Sequence, residues 1–277
     1  MIVGIAVVAF ILGLIIGSFL NVCIYRLPRD LSVVKPSRSF CPSCEHQIAW
    51  YDNIPVLSYF LLGRKCRHCG HPISARYPVV ELLTGALFFL IVAALGPTAV
   101  ALKLCVLCAL LVGLTFTDLD SLILPDEFTL GGTVVGIIFA WFVPVDDMVV
   151  RLAMAVAGFR PSPQWASVAE SIGGAVLPAG FLGLGGWLFE KIRHKEGLGL
   201  GDVKMMAMVG AFLGLRGALL TLVVGSIAGS VIGLIYIYAT KKDPSSYELP
   251  FGAFLGFAGI VVALAGAPVI HWYWGLF

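Results

Sequence analysis

The run IVGIAVVAFILGLIIGSFLNVCI (residues 2–24) holds no charged side chain and opens almost at the first residue. A helix needs about 20 apolar residues to cross the hydrocarbon of a bilayer, and this run meets that length. It overshoots the roughly 7 to 15 residues of a signal-peptide core and has no basic segment before it, so it reads as a retained membrane span. Backbone polar groups in lipid must be satisfied within the segment itself, which makes the span a helix. The rest of the chain continues in kind. Hydrophobic residues make up 59% and charged residues 12%, with a mean hydropathy of +0.97, against roughly 25% charged in soluble domains.

The expected fold is an all-α polytopic membrane protein of about eight transmembrane helices. The apolar runs lie near 2–25, 78–95, 98–117, 128–143, 169–190, 203–215, 217–239 and 251–274. Breaks fall at Gly96-Pro97, at Pro144 with Asp146 and Asp147, and at Lys241-Lys242-Asp243-Pro244. This gives a first transmembrane helix at 1–26, a polar insertion at 27–77, and a membrane-embedded core at 78–277, with no internal repeat. Between the fourth and fifth runs, Val149 to Phe159 has the pattern of an amphipathic piece lying on the outer surface. A net charge of +2 leaves no basic surplus for nucleic acid.

Cytoplasmic loops carry the excess of Lys and Arg. With the N-terminus outside, only Lys103, Arg151, Arg160 and Arg216 of the 18 basic residues fall on the outer side. The same orientation places two carboxylates, Asp118 and Asp202, at the inner ends of their spans.

These aspartates stand in TDLDSLILPD (117–126) and GLGLGD (197–202). Ionisable groups at the ends of apolar spans are expensive and mark function, a polar cavity or a partner. Two carboxylates in proximity cannot both ionise cheaply, so one keeps a proton while the other acts as a base on water, the minimum equipment of an aspartic protease. Each also has a plainer reading. Asp126 follows Pro125 and opens a span, as a carboxylate favoured by the helix dipole does, and Asp202 sits where a cap would. The glycines favour chemistry for Asp202, because Gly199 and Gly201 let an extended backbone approach it. The block is not a dinucleotide fingerprint, since no strand precedes it. Asp120 and Asp126 are supporting candidates.

Within the insertion, Cys41-Pro-Ser-Cys44 and Cys66-Arg-His-Cys69 form two C-x2-C knuckles. Four thiolates so spaced present a tetrahedral site to structural zinc, which staples an insertion too small for a large core. Gly70 suits the tight turn after the second knuckle. Redox chemistry is the rival, but the βαβ pattern it expects is missing. Cys105 and Cys108, inside an apolar run, read as buried small residues, as does Cys23. His46, His68 and His71 flank the knuckles, and His194 and His271 lie away from the inner carboxylates, so no histidine is a catalytic candidate.

Four pieces in order resemble the prepilin peptidases, the type IV leader peptidase family of bacterial inner-membrane aspartic proteases. They are GSFLNVCIYRLP (17–28), the double C-x2-C loop ending in RYPVVELL (76–83), Asp118 with Leu124-Pro125-Asp126, and Gly199 to Asp202. The resemblance implies an enzyme that cuts the basic leader of type IV prepilins or type II secretion pseudopilins after a glycine, on the cytoplasmic side, with Asp118 and Asp202 as the catalytic pair. Members with the cysteine-rich loop are similar in also N-methylating the new N-terminal residue from S-adenosylmethionine. No Rossmann-type motif accompanies that cofactor here, and Glu81 is its candidate polar contact. Acidic residues such as Glu45 and Asp52 are candidates to meet the basic leader. Outside the resemblance stand a transporter, disfavoured by carboxylates at one surface and by the lack of a repeat, and a non-catalytic scaffold docking through the zinc loop. Presenilin-like proteases share Gly-x-Gly-Asp but not the zinc loop.

Overall fold

The computed structural model describes residues 2–145, 147, 149–194, 199–240 and 249–274, the side chains of 267–274 excepted. Asp146, Lys195, Gly197, Lys241, Lys242 and the His271 side chain lie outside the described residues. Among those residues the structure is helical, with isolated β-bridges in the insertion. Two compact units emerge, Met1–Cys105 and Val106–Phe277.

The first unit holds α1 (Ile2–Arg26), the short α2 (Leu57–Leu61) and α3 (Arg76–Leu95). Lipid tails give helices no hydrophobic reason to associate, so close backbone packing must supply it. Here glycines do: a Cβ on Gly13 would lie 2.7 Å from Gly85 Cα, and one on Gly17 2.7 Å from Glu81 Cα. Asn21 Nδ2 donates to the Tyr77 carbonyl at 3.0 Å, tying α1 to the start of α3. The last residue of α1 organises the start of the insertion. Arg26 is buried, and its guanidinium donates to the carbonyls of Ser32, Val33, Pro36 and Arg38 at 2.9–3.2 Å. A charge withdrawn from water requires such a full set of partners, so the chain from 32 to 38 wraps around it.

α4 (Ala99–Ser121) leads into the second unit, with α5 (Asp126–Phe142), α6 (Val149–Val156), α7 (Pro163–Arg193), α8 (Leu200–Thr240) and α9 (Phe251–Trp274). By length and composition α1, α3, α4, α7 and α8 can each cross a membrane. α8 does not run straight. A straight helix would hold Met205 and Gly225 about 30 Å apart. Yet a Cβ on Gly256 would lie 3.3 Å from Met205 Cε, and one on Gly225 2.9 Å from Leu255 Cδ2, adjacent residues of α9. The chain turns back at Gly214, whose φ of 76° and ψ of −177° leave the helix. The expected break between runs at 203–215 and 217–239 falls at this turn.

Gly214 is held from outside. Asp147, buried between α5 and α6 in sequence, accepts the Arg216 N–H at 2.9 Å and pairs with its Nε at 3.3 Å. A Cβ on Gly214 would lie 2.7 Å from Asp147 Oδ2. Nearby, the Glu170 carboxylate caps the first turn of α6 by accepting the N–H groups of Val150 at 3.1 Å and Arg151 at 2.9 Å. The amphipathic piece expected over 149–159 is thus helical across 149–156. α7 and the first half of α8 meet backbone to backbone, with Gly174 and Gly210 facing each other.

Candidate active site

Asp118 lies in the last turn of α4, where the helix dipole disfavours a carboxylate. Its compensation comes from the opposite end of another helix. The Ala253 N–H, in the first turn of α9, donates to Asp118 Oδ2 at 2.7 Å, and the Gly252 amide donates as well. Asp202 occupies the first turn of α8. Both carboxylates are buried, at 5% and 9% exposure, and they interact electrostatically.

Leu124 joins the three segments. A Cβ on Gly201 would lie 3.0 Å from Leu124 Cβ, and one on Gly252 2.8 Å from Leu124 Cδ1 and 3.1 Å from Asp118 Oδ2. Gly201 therefore makes room for a packed leucine, whereas a Cβ on Gly199 would lie 3.4 Å from Asp202 Oδ2, beside the carboxylate itself. Asp126 is exposed and bound by Lys204, Nζ to Oδ1 2.7 Å, while Asp120 is exposed near the end of α4. Sequence reasoning singled out both halves of the pair but missed Gly252 and Ala253. Their signal was faint: Pro250 before a long apolar helix with no acid in its first turn, where the first amides lack the full intrahelical set of acceptors; the Ala253 N–H also donates to the Pro250 carbonyl at 3.2 Å.

In the first unit the Sγ atoms of Cys41, Cys44, Cys66 and Cys69 lie within 4.8 Å of one another, with Cys41 and Cys69 3.8 Å apart. Thiolates at 2.3 Å from a tetrahedral zinc stand about 3.8 Å apart, so the donor set fits that ion. Two matching turns build it. Cys41 N–H donates to His46 O and Cys66 N–H to His71 O, and the residue closing each turn has positive φ, Glu45 at 56° and Gly70 at 69°. Asp52 is spent locally, accepting from Arg67 Nε at 2.7 Å and Nη2 at 2.6 Å, and this guanidinium holds the Asp52 carboxyl below its usual range. That pairing argues against Asp52 as a free contact for a basic leader.

Glu81 is buried in α3 and accepts the Val56 N–H at 2.7 Å and the Ser18 hydroxyl. Val56 has φ 62° and ψ −50°, with Leu57 N–H donating to Pro55 O at 2.6 Å. That is a γ-turn on a β-branched residue, a strained geometry that persists only when its surroundings fix it.

The profile of the bacterial peptidase A24 N-terminal domain matches residues 11–95, and that of the type IV leader peptidase family matches residues 105–234. A prepilin leader peptidase/N-methyltransferase of Aeromonas hydrophila is 36% identical over 95% of this chain and 92% of its own length. The chain belongs to the type IV leader peptidase family. A relative of the same name from Myxococcus xanthus is 43% identical over 86% of this chain, which spans 64% of that protein's length. One from Burkholderia pseudomallei is 34% identical over 94% and 85%. No solved structure matches. Along the chain, the type IV leader peptidase match carries both aspartates, and the N-terminal match carries the cysteines and Glu81.

Proposed function

We propose that this chain is a membrane aspartic endopeptidase that removes the leader of type IV prepilins or type II secretion pseudopilins, cutting after a glycine on the cytoplasmic side. It then N-methylates the new N-terminal residue. The name shared by its relatives supports both activities, and the bias of Lys and Arg supports the orientation.

The observation that carries the peptidase reading is that two buried carboxylates, Asp118 and Asp202, lie close enough to act on each other electrostatically. Such a pair can hold a water between its members. The ionised carboxylate takes a proton from that water as it attacks the scissile carbonyl, and the protonated partner neutralises the oxyanion. Asp120, Asp126, Gly199 and Gly201 support this arrangement from the rim.

Zinc is the ion proposed for the four cysteines, where it would staple the 27–77 loop domain without a chemical role. S-adenosylmethionine would supply an electrophilic methyl group to the freed amine. Glu81 is proposed as its polar contact, supported by a carboxylate kept out of water beside the cysteine-bearing loop.

The test is cleavage of a full-length prepilin by detergent-purified protein. The wild type cuts after the leader glycine, and folded Asp118→Asn and Asp202→Asn do not. Wild-type cleavage by either variant removes that residue from the pair.

A further inference from the structure

We propose that the amides of Gly252 and Ala253 divide the labour within the aspartate pair: Asp118 is the ionised member that takes the proton from water, and Asp202 carries the proton. This rests on the pair proposed above.

Backbone N–H groups only donate, and hydrogen bonds from donors to an ionised carboxylate are roughly twice as strong as those to a neutral acceptor. Asp118 receives two such donors from one helix start, with Ala253 at 2.7 Å. The positive end of the α9 dipole acts in the same direction. Asp202 feels the start of α8, but among the described residues no backbone amide donates to its carboxylate. Burial acts on both carboxylates, and the two act on each other electrostatically. The other charged groups on the helices packed here do not reverse this asymmetry. α5 brings Asp126 and Glu127, α8 brings Asp202 and Lys204, and α4 itself brings Asp120, all on the rim apart from Asp202. Lys204 is engaged with Asp126, and residues 251–266 of α9 contain no titratable side chain.

Protons balance over the cycle. Asp118 takes one water proton as the hydroxide forms its bond to the scissile carbon, and the Asp202 proton passes to the carbonyl oxygen, giving a geminal diol. Asp118 then gives its proton to the leaving nitrogen while the C–N bond breaks, and a diol hydroxyl returns a proton to Asp202. The products are a leader carboxylic acid and the pilin amine, with the pair restored.

The decisive variant replaces the residue 253 amide by an ester, using lactic acid in place of alanine, in the full chain. Loss of a hydrogen bond to a charged acceptor moves the acid-side limb of kcat/KM by about one pH unit or more toward neutrality, while Ala253→Gly, which keeps the N–H, leaves the limb in place. A folded ester variant with the wild-type profile, or one inactive at every pH, overturns the assignment. Infrared difference spectra provide a second measurement that does not depend on the ester folding. Wild type minus Asp202→Asn, at the pH of full activity, shows loss of a protonated carboxyl band; loss of a carboxylate band instead overturns the assignment. If Asp118→Asn or Asp202→Asn cleaves like wild type, the pair itself fails, whatever the ester does.

Discussion

Lys204 and Asp126, 78 positions apart, meet at 2.7 Å at the rim of the candidate site. Both side chains are more than a third exposed, and exposed ion pairs contribute about 0 to 1 kcal/mol. Asp126→Asn and Lys204→Gln therefore leave the unfolding midpoint nearly unchanged. Both retain cleavage within about tenfold, because at most ~1 kcal/mol of orientation is lost. Steady-state cleavage checks this, and abolition of activity by Asp126→Asn would move that residue into the pair.

The loop that carries Cys41, Cys44, Cys66 and Cys69 has too little apolar core to persist without a bound ion. Metal analysis is expected to find one zinc per chain and none in Cys41→Ser. Limited proteolysis then cuts within residues 27–77 in the variant or after chelation, and spares the wild type. A zinc-free native protein with a protected loop contradicts this.

Burial pushes the Asp147 carboxyl up, and Arg216 offsets that only in part. A carboxyl with a raised folded-state pKa favours the fold while protonated, a contribution fully present below its unfolded pKa of about 4 and lost as pH rises through the folded value. Asp147→Asn cannot ionise. The midpoint difference, variant minus wild type, is therefore small near pH 4 and grows more positive toward pH 7. Thermal unfolding across that range checks the sign, and a difference that turns negative would mean that the Arg216 pairing outweighs burial.

Gly174 and Gly210 touch through backbone, which cannot step aside. Gly210→Ala should destabilise by about 1 to 3 kcal/mol or more, as overpacking does. Gly131, also helical, has nothing within 4 Å of a Cβ, so Gly131→Ala stabilises by up to about 1 kcal/mol through helix propensity. Paired unfolding measurements in one detergent separate the two.

Sequence alone makes legible whatever leaves a trace in side-chain type. The uncharged run at 2–24, the doubled C-x2-C and the costly aspartates each announce themselves, because a lipid environment, a cluster of thiols and a buried carboxylate pair each demand specific residues. Three features leave little trace. The amide of Ala253 serves Asp118, and any residue but proline supplies an amide. Asp52 pairs with Arg67 across a loop with no periodicity to relate them. Glu81 grips the backbone of Val56, where the partner's identity is irrelevant. The turn at Gly214 is half legible: the apolar runs break there, but its anchor, Asp147, comes from the segment between α5 and α6.

The bond between Asp118 and Ala253 spans 135 positions. A ribosome delivers Asp118 and Asp202 to the membrane well before it delivers the start of α9. Until α9 enters, α4 ends in a carboxylate without its donors. On the proposed reading, cleavage waits for α9.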